Sequence, residues 1–421
     1  MKKKDLKIIV AHPGKQHSFQ TAAGLKENGM LYKYITTVYS KPGSLTYKVT
    51  VLLKGKNKQK AKSRTSELLS DNDVVLFNEF YALITILLSR IPKLRRFYLK
   101  WNEWVASDFY RKVMLYAKKH NVDAVIVYDG YSDKHFDLLF DTKILRIMDV
   151  SIANRKYIRK IFDLDINETG NFAIKSEQIE YWDNSLLERD MKGVRDSEYF
   201  LAASQFVKNS LVSIGISDDN IRIVPYGVDI TRFTAKSAVK KNLNDPLNLI
   251  FVGQPSYRKG MHHLLEAVSK FDSNQVKLTI CGQYSSDLEL YKKYRNIENI
   301  HFAGFVMNTQ LKEYYQSADA FILPSLGEGM AMVGLEAMAC GLPIMCTEFS
   351  GINDLVENFE SGYIFEAVST ESVIQGIKWA IDHKAELASM GRRARKIAEI
   401  YTWEHYRKSV AEKIRELCES V

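Results

Sequence analysis

Cysteine is scarce in this 421-residue chain, and none of the four, Cys281, Cys340, Cys346 and Cys418, stands in a CxxC pair. That excludes a disulfide framework and a cysteine-based zinc site, and their apolar or helical surroundings read as reduced thiols of a cytoplasmic protein. Long hydrophobic runs are missing too. The longest in the N-terminal half, Ala82 to Leu88, falls far short of the roughly 20 residues that span a bilayer. Lys2, Lys3 and Lys4 look like the start of a secretory leader, yet Ile8 to Ala11 is only strand-sized and no cleavage site follows, so export is not expected. The Asn167-Glu168-Thr169 sequon is then idle. No GxGxxG occurs, which argues against a dinucleotide site. No helix-turn-helix, zinc-finger or RNP-like pattern accompanies the basic residues, so a nucleic-acid partner is not expected.

What is present is the composition of a globular protein, 46% apolar and 26% charged, long enough for two or three domains. The charge is unevenly spread. Residues 1–100 carry 20 Lys and Arg against 6 Asp and Glu, which leaves +14 there and −5 in the remainder of a +9 chain. The excess gathers in residues 54–64 and 93–101, and the second run interleaves Lys93, Arg95, Arg96 and Lys100 with Phe97, Tyr98 and Trp101. Basic residues mixed with aromatics suit an anionic membrane surface, while a solvated face or loop explains the first run equally well.

Apolar runs alternate with helical patterns along the whole chain. Strands are expected at Leu6 to Ala11, Tyr34 to Val38, Val74 to Phe77, Ala124 to Tyr128, Ile144 to Met148, Tyr199 to Ala202 and Ile221 to Val224. Helices are expected from near Phe19, over Trp104 to Lys119, Ile174 to Met191 and Gln205 to Ile214. A polar stretch at 235–246 reads as an exposed linker. The alternation then resumes with strands at Leu247 to Val252, Val276 to Cys281, Ile300 to Ala303 and Ala320 to Leu323. This pattern predicts an α/β protein with two Rossmann-like doubly wound parallel sheets. The expected division is residues 1–226, residues 227–401, and a last helix at 402–421, capped by Thr402, that returns to the first domain.

Chemistry-bearing residues cluster where strands end. His12, Gly14 and His17 follow the first strand, and Asp129 and Asp149 end two others. The loop Gly253-Gln254-Pro255-Ser256-Tyr257-Arg258-Lys259-Gly260 leads into a helix, where Lys259 would meet phosphate and Arg258, taken alone, reads as solvated. Gly327-Glu328-Gly329 follows the strand at Ala320 to Leu323 and precedes a helix containing Glu336. The small residues and the free N–H groups of that helix start suit an anion, and two carboxylates beside it suit sugar hydroxyls. On this stretch alone, one solvated and one capping glutamate is an equal reading. Asp163-Leu164-Asp165 has the spacing of a metal-binding DxD, but it falls amid expected helix and is discounted.

Taken together, Pro225-Tyr226-Gly227-Val228-Asp229 with Phe233, the loop at 253–260, Gly304, the Glu328 to Glu336 segment followed by Ala337-Met338-Ala339-Cys340-Gly341-Leu342-Pro343, and the terminal Thr402-Trp403-Glu404 resemble glycosyltransferase family 4. The resemblance covers nearly the whole chain. It implies a retaining enzyme of the GT-B fold, with an interdomain cleft, that moves a sugar from a nucleoside-diphosphate sugar to a hydroxyl acceptor without metal or cofactor. By position, Lys259 would grip the diphosphate, Glu336 the ribose and Glu328 the sugar. Backbone N–H groups of Gly329, Met330, Ala331, Met332 and Val333 would meet sugar and phosphate, and Phe305 would neighbour the base. Gly253, Gln254 and Arg258 would complete the donor side, with Gly14 approaching the diphosphate across the cleft. His12, His17, Asp129 and Asp149 are the acceptor-side candidates. Two departures stand out: Gln254 where the family usually has Arg, and Asp149 where it often has His. A lipid-linked glycan acceptor, as in bacterial surface polysaccharide assembly, and a peripheral place on the inner face of the cell membrane fit the basic first domain. A nucleotide-sugar epimerase and a non-catalytic sugar-nucleotide-binding protein are the alternatives.

Overall fold

The computed structural model describes all residues except 1–4, 15, 56–57, 59–60, 62–63, 131, 236–241, 287 and 420–421. Lys15, much of the basic run at 54–64 and the centre of the expected linker therefore lie outside the described residues.

Two parallel sheets form the frame. The first contains β1 (Ile8–Ala11), β2 (Leu31–Thr36), β3 (Val74–Leu76), β4 (Ala124–Tyr128), β5 (Leu145–Val150), β6 (Tyr199–Ala202) and β7 (Ile221–Ile223), in the order β3-β2-β1-β4-β5-β6-β7. The second contains β8 (Leu247–Val252), β9 (Val276–Cys281), β10 (Ile300–Gly304), β11 (Ala320–Leu323), β12 (Ile344–Thr347) and β13 (Gly362–Phe365), in the order β10-β9-β8-β11-β12-β13. Helices cover both faces, so central strands such as β1, β4 and β11 are buried along their whole length. Strand order reverses between β1 and β4 in one sheet and between β8 and β11 in the other. Such switch points open crevices beyond the strands' carboxyl ends, where ligands bind in this kind of sheet.

Several elements differ from the sequence expectation. The helix expected over Ile174 to Met191 is broken into Ala173–Glu177, a 3-10 turn at Ile179–Tyr181 and Asn184–Asp196. Tyr181 turns inward against Phe162, and the Asp183 carboxylate accepts from the N–H groups of Ser185 and Leu186, starting a new helix. The helix expected from Trp104 starts nine residues earlier, at Arg95, because Phe97, Trp101 and Trp104 pack on one another and on Tyr81 of the helix Glu79–Leu88. Finally, β13 and the helices Thr370–Asp382 and Leu387–Ile400 were not expected from the sequence.

The last helix, Trp403–Glu419, packs on the helix Ser18–Glu27 of the first domain. The contact is close enough that a Cβ on Gly24 would sit 2.5 Å from the Arg407 carbonyl oxygen. Thr21 Oγ1 lies 2.9 Å from both Tyr406 Oη and Tyr128 Oη, which ties that helix to β4. Thr402 Oγ1 accepts from the His405 N–H at 3.2 Å, as a cap.

Candidate functional site

The second sheet brings the loop after β8 and the loop after β11 side by side at its switch point. The Leu326 N–H donates to the Arg258 carbonyl at 2.9 Å, and a Cβ on Gly260 would fall 1.7 Å from the Pro324 carbonyl oxygen. Gly260 also holds φ at +65°, so glycine answers both the backbone conformation and the approach. This contact places Lys259 Nζ 2.6 Å and Arg258 Nη1 2.9 Å from Glu328 Oε1. Arg258 also donates to the Gly327 carbonyl at 2.7 Å. It is thus part of the cluster rather than a solvated cation. Burial raises the pKa of Glu328, but Lys259 and Arg258 more than offset it and hold the carboxyl below its usual range. A buried carboxylate and two cations at a sheet's carboxyl edge can meet both an anion and sugar hydroxyls.

Glu336 has a different environment. It projects from the helix Met332–Ala339, half-buried, and accepts from Tyr315 Oη at 3.1 Å. Burial pushes its carboxyl up to about 7, with Tyr315 opposing. The two glutamates, then, are neither solvated nor capping. Ala331 is the helix's N-cap and has no side-chain cap bond. Its own N–H donates to the Ser350 carbonyl at 3.3 Å. Met332 and Val333 lie in the first turn and Met330 just before it. Phe305 is exposed beyond Gly304, whose φ is +71°, and Gln254 is also exposed. Gly253 packs against the Lys259 side chain, with φ at +139°.

Gly329 is a point of close contact between the two domains. A Cβ there would lie 1.7 Å from the Ser151 carbonyl oxygen, in the segment following β5, and the Gly329 carbonyl accepts from Ser204 Oγ at 2.5 Å. The loop that carries the glycine-bracketed Glu328 therefore packs directly on the first domain.

On that side, His17 Nε2 lies 3.0 Å from Asp149 Oδ2, and the His17 ring sits against Tyr226, with centroids 4.3 Å apart. His12 is buried, its Nδ1 accepting from the Gly14 N–H at 2.9 Å, and burial pushes its pKa down to about 4. Asp129 accepts from Ser151 Oγ at 2.6 Å, and burial raises its pKa. Asp129 and His12 line one cavity of about 420 Å³, with Gly14, Arg64, Ile86 and Lys134. Asp149 instead backs His17. Lys134, buried and pushed down to about 8 by desolvation, lies over the Tyr110 ring at 4.2 Å. Sequence reasoning missed Lys134, which reads as an exposed loop residue, and Tyr315, which reaches Glu336 from a separate helix. Asp163 pairs with Arg159 at 3.7 Å while Asp165 is fully buried elsewhere, so the DxD pair forms no common site.

Two Rossmann-like domains with a facing cleft define the GT-B fold class, and the solved structures agree. A sucrose-phosphate synthase from Thermosynechococcus elongatus superposes with a TM-score of 0.65 over 99% of this chain and 100% of that one, at 14% identity. Residues 233–397 match the family model described as glycosyl transferases group 1. An uncharacterized glycosyltransferase of Methanocaldococcus jannaschii, MJ1607, is 24% identical over 61% of this chain and 68% of its own length. The amylovoran biosynthesis glycosyltransferase AmsK of Erwinia amylovora is 30% identical over 40% of this chain and 44% of its own. The chain spans about half the length of most of the curated relatives it matches.

Proposed function

We propose that the chain is a retaining glycosyltransferase that transfers a hexose from a nucleoside-diphosphate sugar to a hydroxyl of a glycan or lipid-linked glycan in surface polysaccharide assembly. The observation that carries this reading is the Lys259–Glu328–Arg258 cluster at the second sheet's switch point, with Glu336 on the neighbouring helix and Gly329 against the first domain.

In this reading, Glu336 accepts from the ribose hydroxyls and Phe305 lies by the base. Lys259 and the helix start at Met332 meet the diphosphate, with Arg258 supplying the charge that Gln254 does not. The bond from the anomeric carbon to the leaving phosphate oxygen breaks as the acceptor oxygen adds on the same face. The departing phosphate takes the acceptor's proton. Negative charge grows on the leaving group, and fixed cations in a water-poor cleft stabilise it by several kcal/mol, on the order of one oxyanion-hole donor or more. Protein cations do this work, so no metal ion is needed at the reacting bond.

The acceptor would enter the cavity lined by His12, Gly14, Asp129, Lys134 and Arg64, with His17 and Asp149 beside it. Exposed Phe80, Leu87, Phe97, Leu99 and Trp104 surround Arg95, Arg96 and Lys100 on the helices next to that cavity. This face favours a lipid-linked acceptor drawn from an anionic membrane surface. No described helix is long and apolar enough to cross a membrane.

The deciding experiment is a thermal-shift panel of nucleoside-diphosphate sugars, followed by product analysis with and without acceptor. One sugar nucleotide should raise the melting temperature and be hydrolysed slowly when no acceptor is present. Epimerised donor without acceptor would support the epimerase alternative. Binding without hydrolysis or transfer would point to a non-catalytic protein.

A further inference from the structure

Asp165, on the first-domain helix Arg155–Thr169, is fully buried and faces two histidines of the second domain. His262 and His263 stand in the first turn of the helix Met261–Val268, directly behind the Lys259 loop, and both are buried. His263 Nε2 lies 2.7 Å from Asp165 Oδ1, and His262 Nε2 lies 3.1 Å from each carboxylate oxygen. One ligand atom from each of the three residues falls within 4.8 Å of the others. A carboxylate buried this deeply needs a positive partner. Among the described residues, no lysine or arginine pairs with it.

We propose that Asp165, His262 and His263 bind a divalent transition ion of the Zn²⁺ class that clasps the two domains together. Two imidazoles and a carboxylate are a ligand set that zinc accepts, with bonds of about 2.0–2.2 Å and one position left open. Tetrahedral bonds of that length hold ligand atoms roughly 3.3–3.5 Å apart. To reach that spacing the 3.1 Å contact would need to widen by about 0.2–0.4 Å and the 2.7 Å contact by about 0.6–0.8 Å, a small swing of the His263 ring. His263 Nδ1 lies 2.7 Å from Thr370 Oγ1, an outer bond that turns Nε2 toward the carboxylate, as ligating histidines are commonly held. His262 Nδ1 is buried without a hydrogen-bond partner, so no second bond resists the small rotation. A cleft of about 390 Å³ reaches His262 and Thr370 and gives the ion a path in.

A second grouping, Asp133, His135 and Asp137, makes a useful contrast. There Lys192 Nζ lies 3.4 and 3.5 Å from the two carboxylates and already answers their charge. Of these two groupings, only the interdomain one has a buried carboxylate faced by imidazoles alone. Because His262 follows Lys259 by three residues, an ion here would fix the helix that carries the donor loop, without taking part in sugar transfer.

The test uses the full chain, freed of metal with a chelator and then titrated with Zn²⁺ while bound metal and melting temperature are followed. One equivalent should bind and raise the melting temperature. Asp165→Asn and His263→Gln should lose the equivalent and the shift, and His135→Gln should keep both. Thr370→Val should weaken binding by about 10–100-fold, the usual effect of removing an outer-shell partner. Co²⁺ in place of zinc should give the intense visible bands of a four-coordinate site with nitrogen ligands. The proposal is overturned if the folded chain takes up no stoichiometric zinc, or if uptake is unchanged in Asp165→Asn and His263→Gln. Should those two variants not fold, an unaltered affinity in Thr370→Val or a six-coordinate cobalt spectrum overturns it instead.

Discussion

Lys259 and Glu328 lie on different loops of the second sheet, yet their charged atoms are 2.6 Å apart and both side chains are largely buried. A pair so placed is costly to break on one side, because the remaining charge stays in a poorly solvated pocket. Arg258, 2.9 Å from the same oxygen, limits that cost when Lys259 is lost, but it cannot stand where Lys259 would meet the leaving diphosphate. Lys259→Met is therefore expected to keep the fold and to lower kcat/KM by about 10²–10³-fold, the range for losing one fixed charge-stabilising donor. Steady-state kinetics alongside a melting curve will check it. Wild-type turnover in the variant would remove Lys259 from the mechanism.

Donor affinity should depend on pH through Glu336. Its carboxyl is raised to about 7 by burial, so it is ionised above that pH and takes up a proton below it. Only the ionised form accepts hydrogen bonds at both oxygens, as two ribose hydroxyls require. As pH falls below 7, binding must first expel that proton, and affinity should drop by a slope approaching about tenfold per pH unit. Calorimetric titration from pH 8 to 5.5 gives the slope. Glu336→Gln should bind weakly with no slope in that range, and an equally steep slope in the variant would assign the proton elsewhere.

Gly329 and Gly327 bracket the same glutamate but meet different neighbours. A Cβ on Gly329 would strike the Ser151 carbonyl oxygen, whereas one on Gly327 would touch only the Ile158 side chain at 3.2 Å. Backbone cannot move aside as a side chain can. Gly329→Ala is expected to force the domains apart, with loss of turnover and a melting temperature lower by several degrees, while Gly327→Ala changes both only slightly. Similar behaviour in the two variants would mean that the interdomain contact does not govern the site.

The two parallel sheets, and the loops at their carboxyl edges that carry Lys259 and Glu328, could be read ahead of the structure because a buried parallel strand is a largely apolar run. Ala124 to Tyr128, Tyr199 to Ala202, Leu247 to Val252 and Val276 to Cys281 show this, each expected and observed over the same residues. Contacts between remote segments left no such trace. Tyr315 reaches Glu336 from another helix, Lys134 is buried by the packing around Tyr110, and Asp165 meets its histidines across the domain boundary. The broken helix near Asp183 shows the same limit: helical periodicity continues through a segment that Tyr181, by turning into the core, divides.

Membrane attachment is open to a direct measurement. Arg95 and Arg96 begin a helix whose neighbouring Phe97, Leu99 and Trp104 are exposed. Each basic residue near an anionic surface is worth about 1 kcal/mol, or roughly fivefold in partitioning. Sedimentation with vesicles rich in anionic lipid should therefore fall by about that factor for Arg95→Gln and again for Arg96→Gln, and Trp104→Ser should weaken it at any lipid charge. Binding that ignores lipid charge would refute the electrostatic part.

The helix Trp403–Glu419 completes the packing of the first domain, filling the side of Ser18–Glu27 and meeting Thr21 through Tyr406, though it is the last element in the chain. On the ribosome, strands β1 to β7 are made long before it. The first domain must wait, with the Ala22–Leu25 face uncovered, until the whole second domain has emerged. The side of Ser18–Glu27 that Trp403–Glu419 covers is therefore closed only after the strands of both sheets have been synthesised.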